Sequence, residues 1–519
     1  MRCTFLLLSC LFISISCKNN NPDIYEFIPG QTANDRVPSY TGYFLYGSNM
    51  GWLNNNWKDE DIADILTGNP GKNREGIGVN SLRPALYEDF VETWGYDNKI
   101  NTFKYYSDHG AKNNTVFIGD RPCDQHREKK QYVSGAPSQS FENLYEPIWD
   151  DTENGTVVNN NNYYARYVYQ LVQTYKNYIK FWEIKNEPDF TYGDCGWKIP
   201  VSGCSWWNKD PSPDELPNFY APVQSYIRML RISYEVIKSV DPEAYICVGG
   251  IGYESFLDAI LRNTDNPDQG KVTDRYPHQG GAWFDCLSFH IYPMYHTGSS
   301  RHSDAAVAAV ETQTDAYTEL LKKYGYGSEY PAKEMIITET NIPNKQVGNS
   351  IGSEQAQRNY LMKLAIIGQK QQIRGIYPFS VWDNREQNAG GGEYDYMGFY
   401  LPLPNSPSGQ LNVHESGIGW RTTSRLLNER KYDANETMRL NLSSGTNGGA
   451  FYSESAKNYV YVLWAKTTKD LNEEASVSYS FPASMNVKEM TFTDWDEKET
   501  TISGNTVTLT ATPLFIKTR

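Results

Sequence analysis

The stretch "FWEIKNEPDF", residues 181–190, places an apolar, strand-like run directly before Asn186-Glu187-Pro188. Proline lacks an amide hydrogen and biases the residue before it away from helix, so the strand must stop there and leave Glu187 at its end. A carboxylate at a strand end is a candidate for chemistry. Its meaning depends on how many such strands the chain contains.

Working outward from it, eight short apolar runs stand out: "GYFLYGSN" (42–49), "GVNSLRP" (78–84), "TVFIGD" (115–120), "KFWEIKN" (180–186), "YICVGG" (245–250), "FDCLSFHIYP" (284–293), "EMIITETN" (334–341) and "GIYPFSVW" (375–382). Between them lie amphipathic stretches, among them 163–179, 222–240, 305–324 and 353–371, whose apolar residues recur at helical spacing. Strand and helix alternating eight times predict an α/β chain closed into a (β/α)₈ barrel over residues 41–427, with its active site at the C-terminal ends of the strands. Glu187 ends the fourth. Beyond the barrel the helical pattern gives way to "NYVYVLWAKT", "ASVSYSF", "VKEMTFTDW" and "NTVTLTATPLFIKT", short alternating segments that predict a C-terminal β-sandwich over 428–519.

With 519 residues, the chain has room for both domains. A net charge of −14, with no basic stripe, argues against a nucleic-acid partner. The excess of Tyr and Trp (39 and 13) suits surfaces that stack on sugars as well as ordinary cores. The N-terminal "MRCTFLLLSCLFISISC" has an early Arg, a short apolar run and small residues before Cys17. It resembles a lipoprotein export signal over 1–17, followed by a polar tether over 18–40, so the protein is expected outside the cytoplasm, anchored to a membrane only through a lipid on Cys17. A plain secretory signal is the alternative. Of the remaining cysteines, Cys195 and Cys204 are spaced to close a short loop, while Cys247 and Cys286 sit in apolar runs as buried thiols. No spacing suggests a metal site, no cofactor is implied, and a monomer is expected.

The seventh run carries Glu339 near its end. Acids on strands four and seven face each other across a barrel mouth, the pairing glycoside hydrolysis needs: Glu187 to protonate the leaving oxygen and Glu339 to attack the sugar carbon. On strand six His290 and Tyr292 share a face, and Tyr292 is placed to hydrogen-bond the nucleophile. Arg83 ends strand two, where its charge would lower the nucleophile's pKa. Asn49 ends strand one and is expected among the substrate-binding residues. The loop after strand four supplies Trp197, Trp206 and Trp207 as candidate stacking platforms. The loop after strand three concentrates Arg121, His126, Arg127, Lys129 and Lys130, cations that beside a cleft would favour an anionic polymer.

Taken together, Asn186-Glu187-Pro188, Glu339, Arg83, His290, Tyr292 and Trp382 resemble clan A of the retaining glycoside hydrolases. That resemblance implies that Asn186 binds the sugar's 2-hydroxyl and that Trp382, in "SVWDN", forms the sugar platform. Two segments, "YGSNMGWLNNNWKDEDIADIL" (46–66) and "TWGYDNKINTFKYYSDHGA" (93–111), together with the β-rich C-terminal domain, look like glycoside hydrolase family 86, the β-agarases and β-porphyranases. The function so implied is endo-cleavage of a polysaccharide, foremost a red-algal galactan. The alternatives are a clan A hydrolase of another β-glycan (mannan, glucan, xylan or carrageenan) and a non-catalytic glycan-binding surface lipoprotein on the same barrel. A binding protein of that kind would normally have lost one acid, and both are present.

Overall fold

A computed structural model describes residues 30–50, 56–150 and 156–519. The expected export signal, Cys17 and the first part of the expected tether lie outside the described residues. Eight parallel strands form one sheet: β1 (Leu45–Asn49), β2 (Ser81–Arg83), β3 (Asn114–Ile118), β4 (Ile179–Ile184), β5 (Tyr245–Val248), β6 (Cys286–Ile291), β7 (Glu334–Thr340) and β8 (Ile373–Pro378). Each is followed by helix: α1 (Asp59–Thr67), then the pair α2 (Glu88–Trp94) and α3 (Ile100–Asp108), then α4 (Tyr163–Tyr175), α5 (Val223–Val240), α6 (Glu254–Arg262), α7 (Ser303–Lys323), α8 (Glu354–Lys370) and α9 (Glu415–Leu427). The (β/α)₈ barrel expected from the sequence is therefore present.

The sheet order runs β2-β1-β8-β7-β6-β5-β4-β3. Closure between β2 and β3 is left to a single bridge, Ala85 to Phe117, and to side chains: Asn114 Oδ1 accepts from the Leu82 amide at 2.8 Å, and Ser81 Oγ donates to the Asn113 carbonyl at 2.7 Å. Side chains that alternate inward fill the barrel in layers. At the bottom Leu45, Phe181, Tyr245, Cys247, Cys286 and Ile336 pack together, with Tyr40 against them. Above them the layer turns polar: the Tyr377 hydroxyl lies 2.7 Å from both Ser81 Oγ and Thr115 Oγ1, and Thr338 Oγ1 donates to Glu183 Oε1 at 2.7 Å. The C-terminal ends of the strands stand above this layer. Within the expected tether, residues from 30 onward are part of the packed molecule: Ala33 is buried with its amide on the Ala282 carbonyl, and Tyr40 plugs the barrel floor because its ring has apolar partners there.

After α9 the chain forms β9 (Lys431–Asp433), a short helix α10 (Ala434–Arg439), and β10 (Thr446–Ser453), β11 (Asn458–Ala465), β12 (Ser476–Ser480), β13 (Glu489–Thr493), β14 (Glu499–Ser503), β15 (Thr506–Thr510) and β16 (Leu514–Thr518). Six strands make one sheet, and β12 with β15 make the other, as a β-sandwich. Strand β11 shows how the larger sheet is used. Val460, Val462 and Trp464 join the barrel's core, and the alternate Tyr461, Leu463 and Ala465 join the core between the sheets. Half-buried Asp304 ties the two domains, accepting from Trp464 Nε1 at 3.0 Å and Lys363 Nζ at 2.7 Å. Among the described residues no helix is long and apolar enough to cross a membrane.

Candidate active site

Glu339 reaches the barrel mouth through an irregularity in β7. Ile336 and Thr338 already point inward, so strict alternation would turn Glu339 out toward the helices. The register slips beside it, against β6 and again against β8. A bulge of this kind re-aims the following side chain, and here it turns the carboxylate into the mouth. Oε1 accepts from Arg83 Nη1 at 2.8 Å and Asn49 Nδ2 at 3.0 Å, Oε2 accepts from the Tyr292 hydroxyl at 2.6 Å, and His290 Nδ1 stands 3.8 Å from Oε2. Burial pushes the Glu339 pKa up, but the charges of His290 and Arg83 and the Tyr292 hydrogen bond outweigh it and hold the carboxyl below its usual range. Glu339 is thus kept ionised. Asn49, expected on substrate, donates to this carboxylate and also lines the neighbouring cavity.

Arg83, at the end of β2, is buried and commits all three nitrogens: Nε to Glu183 Oε2 at 2.7 Å, Nη1 to Glu339, and Nη2 to Asn186 Oδ1 at 2.6 Å, with its guanidinium 4.7 Å from the Phe117 ring centroid. Asn186 also donates its backbone amide to Asp120 Oδ2 at 2.8 Å, so the side-chain Nδ2 is the edge it offers to a ligand.

Glu187 is placed by a contorted backbone. Lys185 and Glu187 have φ of 65° and 48°, a left-handed conformation that costs a non-glycine residue about 1–3 kcal/mol and collects at functional sites. The surroundings pin it: the Glu187 amide donates to the Gly249 carbonyl at 2.8 Å, Asn218 Nδ2 donates to the Glu187 carbonyl at 3.1 Å, and buried Lys185 Nζ lies 2.8 Å from Asp120 Oδ1. Buried Asp189 accepts from the amides of Gly252 and Tyr253, and burial lifts its pKa to about 7. The Glu187 side chain pairs with His290, whose Nδ1 lies 2.9 Å from Oε1. Burial lowers the His290 pKa, but Glu339 and Glu187 more than reverse this, so the imidazole is driven toward its charged form. Gly250, with φ of 58°, makes room for the ring: a Cβ there would lie 2.3 Å from His290 Nε2. Glu187, His290 and Glu339 each present an atom within 4.8 Å of the other two.

A cavity of about 670 Å³ opens beside Glu339 on the β1–β3 side, lined in part by Asn49, Arg83, Phe117, Asn186, Glu339 and Phe379. Several expectations need correction. Strand β8 ends at Pro378, so Phe379 lines the cavity, while Trp382 lies beyond the strand, half-buried, where it pairs with Tyr400. Trp206 is fully buried, with Nε1 donating to Glu215, because it packs the loop onto Tyr253 and Phe256; Trp207 is half-buried against the core. Trp197 alone of the three is open, 53% exposed and edge-on to Tyr253. From the basic loop Arg121 lines the cavity, paired with Asp89 at 2.9 Å and lying over the Tyr87 ring. His126 instead bonds buried Glu88, and Arg127 bonds the loop's own carbonyls. Cys195 and Cys204 are free thiols, close together beside Asp194. Sequence reasoning missed two site residues: Phe379, which the proline before it could have marked as the strand's end, and Glu183, which alternation with Phe181 could have turned inward.

Among the described residues, three groups of side chains have the composition of a metal site: Glu187 with His290 and Glu339, Glu88 with Cys123 and His126, and Asp194 with Cys195 and Cys204. In the first, His290 Nδ1 pairs with Glu187 and Glu339 Oε1 accepts from Arg83; in the second, His126 and Glu88 bond directly.

No family model and no curated sequence matches the chain. Among solved structures it is similar to a glucosidase from Croceicoccus marinus (12% identity, TM-score 0.51, covering 94% of this chain and 98% of that one). It is also similar to an α-L-arabinofuranosidase from Thermotoga maritima in complex with arabinose (12% identity, TM-score 0.50, covering 93% and 98%). At such identity the likeness is one of fold, extending over nearly the whole length of each chain.

Proposed function

We propose that the protein is a retaining glycoside hydrolase that cleaves a polysaccharide within its chain, with the red-algal galactans agarose and porphyran as its substrates. The observation that carries the reading is the pair Glu187 and Glu339, whose carboxylate oxygens come within 4.8 Å of each other at the ends of β4 and β7. Retaining enzymes hold their two carboxyls about 5–5.5 Å apart, whereas inverting ones leave about 6.5–9.5 Å for a water. Glu339, held ionised, attacks the anomeric carbon while Glu187 gives its proton to the leaving oxygen. The resulting glycosyl ester is then hydrolysed by a water whose proton Glu187 takes.

Two features support a polymeric substrate. The cavity lies on the Asn186 side of Glu339, and on the other side exposed rings from three loops, Tyr394 (39% exposed), Tyr295 (60%) and Trp197, continue outward from Tyr292. The galactan reading is supported by where the two family-like segments fall: Asn49, Met50 and Asp59 from the first, and Lys99, Thr102 and Phe103 from the second, all line the cavity. An export signal with a lipid on Cys17 would set such an enzyme at the cell surface.

The test is release of reducing ends, with product sizing, from agarose, porphyran and carrageenan beside mannan, xylan and laminarin, with Glu339→Gln as the blank. Oligosaccharides from agarose or porphyran alone are expected. Activity confined to another glycan would overturn the galactan reading and keep the two-glutamate mechanism; silence of the wild type across the panel would overturn hydrolysis.

A further inference from the structure

We propose that Glu183 is a positioning residue of this site: a buried carboxylate that fixes the one orientation in which Arg83 serves the nucleophile Glu339 and the sugar-binding Asn186 together. The catalytic half of this inference rests on the hydrolase reading above; the structural half rests on geometry alone.

Glu183 points into the barrel from β4 below the mouth, fully buried and outside the cavity lining, so it touches no substrate. Its carboxylate is gripped from three other strands. Oε1 accepts from Thr338 Oγ1 of β7 at 2.7 Å and from Ser288 Oγ of β6, two hydroxyls that are themselves 2.9 Å apart, and Oε2 accepts from Arg83 Nε of β2 and lies 2.7 Å from its Nη2 as well, holding that edge of the guanidinium. The Ser288 hydroxyl is anchored in turn at 3.1 Å by the amide of Gly250, the same glycine that makes room for His290.

A guanidinium is a rigid planar fork, so fixing Nε fixes where both Nη atoms point. With Nε on Glu183, Nη1 meets Glu339 and Nη2 meets Asn186 Oδ1, which turns the Asn186 amide outward. Without that third contact the stable arrangement for Arg83 is a two-nitrogen grip on Glu339, the partner that carries full charge. Asn186 would then lose its fixed orientation. Removing one partner of a buried charged network leaves the others to rearrange, so the effect should appear at Arg83 first.

The experiment has a spectroscopic arm and a kinetic arm. In ¹H–¹⁵N spectra of the full chain without substrate, the Arg83 Nε–H signal is assigned by its loss in Arg83→Lys. It is expected to be sharp and slow to exchange in the wild type, and to broaden and exchange faster in Glu183→Gln. On whichever glycan the wild type cleaves, Glu183→Gln is expected to lower kcat by about 10–100-fold, the usual reach of a residue that orients another, with KM within about twofold. In an Arg83→Lys background the same substitution should cost little more, because both changes act through one group. An unchanged Arg83 signal in Glu183→Gln, or losses that multiply in the double variant, would overturn the proposal. If Glu183→Gln does not fold, Ser288→Ala and Thr338→Val, which loosen the carboxylate and keep its charge, are read in the same two ways. A wild type silent on every glycan counts against the hydrolase reading alone and leaves the Arg83 signal to decide whether Glu183 orients it.

Discussion

The two glutamates at the barrel mouth live in opposite surroundings. Glu339 is 12% exposed and takes hydrogen bonds from Arg83, Asn49 and Tyr292, whereas Glu187 is 30% exposed, pairs with His290, and sits on a left-handed backbone. A nucleophile needs a fixed place and a permanent charge, which converging donors supply. An acid that must give and then retake a proton needs fewer fixed donors and access to water, and its precision here comes from the backbone. The difference fits the proposed roles, Glu339 as nucleophile and Glu187 as acid and base.

The comparison breaks most readily by exchanging each carboxyl for an amide. Glu339→Gln should lower kcat by at least about 10⁴-fold on every substrate, because no nucleophile remains. Glu187→Gln should cost about 10²–10⁴-fold on the glycan and far less on an aryl glycoside whose leaving group needs no proton. Equal losses on both substrates for both variants would contradict the division of labour.

Tyr292→Phe sharpens it. The change removes one donor to a charged acceptor, worth about 1.5–3 kcal/mol, so kcat/KM should fall about tenfold or more. The sign of the pH effect follows from Glu339: its pKa is depressed, so it is ionised above a value lower than usual, and weakening its donors raises that value. The acidic limb of the pH–rate profile should therefore move to higher pH. A limb that stays in place would remove Tyr292 from the nucleophile's support.

A second pair compares rings. Phe379→Ala should raise KM severalfold, because its ring lines the cavity, while Trp382→Ala should leave KM near the wild-type value. The reverse would restore the tryptophan as the platform.

The smallest effect concerns a second histidine held between acids. His414 lies with Nδ1 2.5 Å from Glu354 and Nε2 3.0 Å from Asp383; burial lowers its pKa, but the two hydrogen bonds raise it to about 9. Both of its nitrogens are paired, whereas buried His290 Nε2 has no hydrogen-bond partner among the described residues. A pKa raised by folding stabilises the protein fully below about pH 6.5, the unfolded value, and that stability is lost as pH climbs toward 9. Thermal melts should show this decline in the wild type, and a flatter profile in His414→Gln.

Much of this was legible in the sequence, and the rest was hidden for physical reasons. The eight strands announce themselves because barrel strands are buried on both faces and read as apolar runs. Pro188 marks the end of β4 and so locates Glu187. Glu339 stands at a strand end, but its inward direction depends on a bulge that no local pattern specifies. The Arg83 network joins residues 100, 103 and 256 positions apart, and such contacts are properties of the closed barrel. Trp197 and Trp206 look alike in sequence, yet one is open and the other is sealed in the core, because burial is decided by what the rest of the loop packs against.

The most direct test of the central claim is the configuration of the first product, followed by ¹H NMR before mutarotation on whichever glycan the wild type cleaves. Glu187 and Glu339, this close together, predict that the newly formed reducing end keeps the configuration of the bond that was cut. Release of the opposite anomer would mean that water attacks directly, and Glu339 could then not be the nucleophile.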